Sequence, residues 1–263
     1  MKTDINRMVT KGLLGVMTIS VLSGATSQAA TVSTPYENTY STPASTNDFA
    51  QGAGPANKAS YVTWSLSNNM HYNLLNGAGA TATLYGWATV DFQDLGGIPT
   101  DSRNFITQIS MLAKSSVTTI TNKPGGFQGI CALASDADLG SYYYGRVYFT
   151  NYVGNVILSK FVDGVESLIV TTPTTIVFDR ARTYNMSLIG SYTPRANPAL
   201  TLTYNLVYNN ETNTVTLVDE HPLSGTRFGY RSCNNSGTMQ VYWDNLRVSS
   251  TAVIHPGTIV VIN

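Results

Sequence analysis

The chain carries little charge: 11% of its 263 residues are Asp, Glu, Lys or Arg, and 15 cations balance 15 anions. Without clustered Lys and Arg there is no footprint for a phosphate backbone, so nucleic acid is not an expected partner. Histidine is limited to His71, His221 and His255, and cysteine to Cys131 and Cys233. So few ligands, so far apart, make a zinc site improbable. In an oxidising compartment the two cysteines would form at most one disulfide, and spacing alone leaves open whether their strands are neighbours. No Gly-x-Ser-x-Gly run offers a nucleophile elbow, and the Gly96-Gly97 and Gly125-Gly126 pairs read as turns, not phosphate cradles. No apolar run reaches the roughly 20 residues of a membrane helix. No amphipathic pattern of helical period lasts beyond a couple of turns.

What is present begins with an export signal. Lys2, Arg7 and Lys11 form a cationic lead, Gly12 to Ala25 an apolar run, and Ser27 and Ala29 a small-x-small cleavage site. Cleavage after Ala29 would remove three cations and one anion, leaving a formal charge of −2. The expected product is secreted or periplasmic, with no membrane span in the mature chain. The domain boundaries expected are a signal peptide at 1–29, a flexible leader rich in Ser, Thr, Pro and Asn at 30–58, one body at 59–250, and a tail or edge strand at 251–263.

Within the body, period-two alternation recurs. Leu200, Leu202, Tyr204, Leu206 and Tyr208 alternate with Thr201, Thr203, Asn205 and Val207, which describes a strand with one buried face. A polar break at Asn209 to Asn213 and a second at Asp163-Gly164 predict two hairpins, the latter from a pair that tolerates two positive φ values. Further strands are expected at 61–66, 82–92, 105–113, 127–134, 142–149, 184–191, 227–233 and 239–248. Ten or more strands with no crossover helices imply a mostly antiparallel pair of sheets. Met239, Val241 and Trp243 alternate in one phase, Leu246 and Val248 in the other, so a one-residue slip is predicted at Asp244-Asn245.

From Tyr184 to Val248 the succession of strand, hairpin, Gly-bearing Phe228-Gly229-Tyr230-Arg231 and closing Trp243-Asp244-Asn245-Leu246 resembles the concanavalin A-like lectin/glucanase superfamily, and within it the laminin-G-like exported bacterial domains. The resemblance implies an all-β, jelly-roll antiparallel β-sandwich with sugar held on a concave face. It also implies calcium near Asp244, where carboxylate and carbonyl oxygens would collect, against the simpler role of tying off backbone amides at the slip. No cofactor is otherwise required. The Glu-x-Asp-x-x-Glu run by which glucanases of this superfamily place their two carboxyls is missing; only Glu37, Glu166, Glu211 and Glu220 occur.

The residues best suited to sugar lie on two strands. On one, Tyr142, Tyr144, Arg146 and Tyr148 share a face opposite Tyr143, Gly145, Val147 and Phe149. On the other, Tyr85 and Trp87 share a face opposite Leu84, Ala88 and Val90. Aromatic faces take the C–H groups of a sugar while Arg and Tyr bond its hydroxyls; the plainer role is cross-strand pairing within the sheet. The expected function is secreted carbohydrate binding with a polysaccharide or glycan as partner. The alternatives are a polysaccharide lyase, for which Tyr144, Arg146, Gln108 and His71 supply residue types, and a structural or cell-surface assembly protein. A glycosidase ranks below the lyase.

Overall fold

The computed structural model describes residues 30–42, 46–54, 62–67, 70–77, 83–92, 106–120, 126–150, 153–177, 182–193, 199–234 and 237–254. The export segment at 1–29 and the last nine residues lie outside them. The described residues form fifteen strands: β1 (Ala30–Asn38), β2 (Phe49–Gly54), β3 (Val62–Ser67), β4 (Met70–Gly77), β5 (Leu84–Asp91), β6 (Ile106–Ile120), β7 (Gly126–Ala134), β8 (Tyr142–Thr150), β9 (Val153–Val162), β10 (Val165–Val177), β11 (Arg182–Tyr192), β12 (Leu200–Tyr208), β13 (Glu211–Asp219), β14 (Arg227–Asn234) and β15 (Gly237–Ile254).

They assemble into two antiparallel sheets. One runs β13-β12-β11-β6-β15-β4-β3 with β1 added to β15, and the other runs β10-β9-β8-β7-β14-β5-β2. Strands distant in sequence are neighbours in both, notably β6 with β15 and β7 with β14, and the fold is a jelly-roll antiparallel β-sandwich. The eighteen-residue β15 pairs with β6 along one side, while β4 and then β1 share the other. Thus the segment read as a leader supplies two strands, β1 and β2, whose anchors Tyr36, Tyr40 and Phe49 are spaced too widely to show periodicity.

Alternation dictates which side chains enter the sandwich. Leu200, Leu202, Tyr204 and Leu206 of β12 are all fully buried, and they face Tyr143 and Val147 from the opposite sheet within one core cluster. Gly145 is the counterpart of Tyr204: a Cβ there would stand 2.4 Å from the ring. At the other end Trp243 stacks on Tyr230, with centroids 4.6 Å apart. The two predicted hairpins turn through left-handed pairs, Asp163 and Gly164 at φ 50° and 77°, and Asn209 and Asn210 at 48° and 65°. The β15 slip occurs where the alternation changes phase: register shifts between Asp244 and Arg247, with Asn245 at φ 51°.

Two buried polar clusters lock the sandwich edges. At one, Lys160 of β9 meets Asp219 at 2.7 Å, and Tyr143 donates to the same carboxylate at 2.5 Å. Burial alone would raise the Asp219 pKa, but these donors and the His221 amide outweigh it and hold the carboxyl below its ordinary value. At the other, His71 of β4 is completely buried among Tyr40, Phe49, Trp64 and Tyr230. Its Nδ1 meets the Tyr230 hydroxyl and its Nε2 lies 3.0 Å from the Gln51 amide nitrogen. Burial lowers its pKa to about 4, so the ring is neutral at pH 7.

Candidate functional site

The outer face of the seven-stranded sheet is the candidate site, and strand phase determines its membership. In β8, Tyr143, Gly145 and Val147 point inward, which sends Tyr142, Tyr144, Arg146 and Tyr148 outward. Register then sets their neighbours in rows across the sheet. Arg146 stands opposite Gly129 of β7, Gly129 opposite Arg231 of β14, Arg231 opposite Trp87 of β5, and Trp87 opposite Gly52 of β2. One row along, Tyr148, Phe127, Cys233 and Tyr85 line up in the same way. All six residues chosen from sequence therefore share one face of one sheet.

Exposure divides that face into a floor and a rim. Tyr142, Tyr144 and Arg146 are only 3%, 2% and 6% exposed, whereas Tyr148, Tyr85, Trp87 and Arg231 are half-buried. The floor is sealed from the side by the Ser135 to Ser141 loop, which sets buried Leu139 in a satellite core with Cys131, Ala134, Tyr142 and Tyr144. Asp136 organises this loop by accepting the Asp138 amide at 2.9 Å, the Gly140 amide at 3.1 Å and the Ser135 hydroxyl at 2.6 Å. The Ser135 hydroxyl, with the two amides, holds the Asp136 carboxyl below its ordinary pKa. The Trp87 indole N–H donates to the Ala137 carbonyl at 3.0 Å, fastening rim to loop. Leu133 and Leu139, bulky residues at φ 52° and 58°, hold the backbone bends on either side, a conformation that packing must enforce.

Aromatic and guanidinium planes form the floor. Tyr142 stacks on Phe161 at 4.7 Å and Tyr148 on Phe127 at 4.4 Å. Arg146 lies over Phe127 and Tyr144 at 4.9 and 5.1 Å, donates to Ser159 at 3.0 Å and pairs with Glu166 at 2.8 Å. Arg231 lies 4.7 Å from the Tyr85 centroid and donates to the Tyr142 hydroxyl, while its carbonyl accepts from Tyr144 at 2.9 Å. Burial pulls the Glu166 carboxyl upward, but donors Ser159 and Arg146 outweigh it and its pKa is lowered. The same burial raises the Tyr142 and Tyr144 phenols, so both stay protonated.

Sequence reasoning missed Arg231, Phe127, Phe161 and the role of Glu166, three residues after Asp163 of the predicted turn. The signal for Arg231 was its phase: it directly follows the inward-facing Tyr230 and so points outward, in step with Arg227 and Gly229. For the others only register carries the information. The lyase set does not converge: His71 lies between the sheets, Gln108 alternates outward with Leu112 on the eight-stranded sheet, and Tyr144 and Arg146 occupy the opposite outer face. Cys131 and Cys233 are on neighbouring strands, but Cys131 opposes Gly229, four residues (about 13 Å) from Cys233 along β14. Neither forms a disulfide, and both are buried.

At the β15 slip, Asp244 accepts from the Asn245 amide at 2.7 Å and from its side chain at 2.9 Å, the tie-off role. Among the described residues no three His, Cys, Asp or Glu side chains gather around Asp244. A cavity of about 300 Å³ opens beside this slip on the outer face of the eight-stranded sheet, lined by Lys114, Asn185, Asn245 and Arg247 among others.

No family model and no curated protein matches the chain. Among solved structures it is similar to peanut lectin (15% identity, TM-score 0.48, 85% of this chain and 99% of that one). It is also similar to lectin II from Ulex europaeus (10%, 0.48, 84% and 98%). A third is a PL-14 alginate lyase from Aplysia kurodai (6%, 0.46, 73% and 87%). At such identities the likeness concerns architecture and leaves the ligand to the residues themselves.

Proposed function

We propose that this protein is an exported glycan-binding domain whose ligand lies across the outer face of the seven-stranded sheet, over Tyr85, Trp87, Arg231 and Tyr148. The observation that carries the reading is the combination on that rim of half-buried aromatic faces with fixed polar donors, on a floor too tightly packed to rearrange. Such a surface suits a sugar ring, whose C–H groups lie on aromatic faces while its hydroxyls need oriented partners. The cationic lead, apolar run and Ser27-x-Ala29 site support delivery outside the cytoplasm, where glycans are the abundant polymers.

The test is a glycan array probed with the purified protein, followed by titration of a bound glycan against wild type and the Tyr85→Ala and Trp87→Ala variants. Rim contact predicts loss of about 1–3 kcal/mol for each ring removed, in the range of well-packed interface aromatics. Undiminished binding in both variants would remove the rim from the reading.

A further inference from the structure

We infer that this face takes an anionic group, so that the glycan bound is an acidic one bearing carboxylate or sulfate; the inference rests on the glycan-binding reading above. Two guanidinium groups lie in one row of the sheet, Arg146 and Arg231, separated only by Gly129 on the strand between them. Both stand over the same Tyr144 ring, at 5.1 and 5.6 Å. Arg146 has a counter-ion in Glu166. Arg231 has none: among the described residues no carboxylate lies within ion-pair distance of it, and its one side-chain hydrogen bond runs to the neutral Tyr142 hydroxyl.

Glu166 acts on Arg231 only from beyond ion-pair distance, its close partner being Arg146, and the other groups that might balance Arg231 internally do not. Burial raises Cys131 to about 12 and Cys233 to about 11, so neither is a thiolate, and the Tyr142 and Tyr144 phenols are raised likewise. Asp136 is engaged by its own loop, and Arg227 on the same face already has Asp91 at 3.4 Å. Nε of Arg146 and Nε of Arg231 are both buried without an acceptor. A largely buried guanidinium whose one nearby carboxylate is already paired with a second arginine, and whose Nε lacks an acceptor, is incompletely balanced. A planar or tetrahedral oxyanion over the half-buried Arg231 supplies the missing charge and accepts from the exposed part of its guanidinium, the side chain best matched to it. A neutral sugar would use the donors but leave the charge unbalanced.

The experiment uses an array of neutral, uronate-bearing and sulfate-bearing glycans, read at low and at elevated salt. Hits concentrated among the acidic glycans and weakening with salt are expected, and the uronate and sulfate arms separate the two anions. Removing the ligand's charge, by carboxyl reduction or desulfation of the same polymer, should abolish binding without touching the protein. Arg231→Gln should weaken binding about tenfold or more, since hydrogen bonds to charged groups carry that much, with thermal unfolding reporting whether the variant folds. Glu166→Gln should strengthen it, because removing that carboxylate leaves more positive potential at Arg231, whose charge also acts on Glu166; a purely structural Glu166 would give no gain. Hits confined to neutral glycans, or equal binding after charge removal, would overturn this inference while leaving the glycan reading standing. No hits in any arm would overturn both.

Discussion

Replacing Asp219 by Asn tests how the sandwich is closed at its β9/β13 edge. The carboxylate is 4% exposed and the Lys160 ammonium it pairs with is 9% exposed, at 2.7 Å, with Tyr143 and the His221 amide completing the cluster. An amide of the same shape can still accept a hydrogen bond but carries no charge, so the Lys160 ammonium stays buried beside the His221 carbonyl, at 2.7 Å, without a counter-ion. Stranding one member of a buried pair costs about 3–5 kcal/mol, against a total stability of roughly 5–15 kcal/mol for a domain. Chemical denaturation followed by tryptophan fluorescence would read this as a large drop in midpoint at unchanged slope. The double variant Asp219→Asn/Lys160→Met should recover much of the loss, because the stranded charge is gone. A loss below about 1 kcal/mol in the single variant, or a double variant no better than the single, would refute the picture of a desolvated pair.

Three further outcomes follow from the same structure. His71 has a folded-state pKa lowered to about 4 against 6.5, so the unfolded chain binds its proton first. Stability is then full above pH 6.5 and lost as pH falls toward 4, by about 3 kcal/mol; denaturation midpoints measured across that window should show the slope, and His71→Asn should remove it. Gly145→Ala drives a methyl into the Tyr204 ring 2.4 Å away, and calorimetry should show a destabilisation of about 1–3 kcal/mol. Amino-terminal sequencing of the exported product should begin at Ala30; a product beginning at Met1 would contradict the export signal.

Strand phase was legible from sequence because it depends on nearest neighbours. Tyr142, Tyr144, Arg146 and Tyr148 do share a face, the Asp163-Gly164 turn forms as composed, and the change of alternation at Asp244 marks a real bulge. What was not legible depends on partners distant in sequence. Arg231 meets Tyr142 and Tyr85 only because β14 sits between β7 and β5. The role of Glu166 on β10 was hidden because its partner, Arg146, lies on β8, one strand beyond β9. The burial of Tyr142 and Tyr144 comes from a loop folding back over them, which shifts contact with a ligand toward Tyr85, Trp87 and Arg231. Strand β4 escaped notice because its inward residues include His71 and Asn73 while Tyr72 and Leu74 are half-exposed, an inversion of the usual pattern forced by the buried polar network.

Chemical-shift mapping of the labelled protein with an array-selected glycan measures directly which face the ligand occupies. A ligand on the seven-stranded sheet should perturb the Trp87 indole and the Arg231 guanidinium and leave resonances on the opposite sheet around Lys114 and Asn185 unmoved. Shifts centred on the cavity beside Arg247 and Asn245, with the Trp87 and Arg231 signals unchanged, would contradict it.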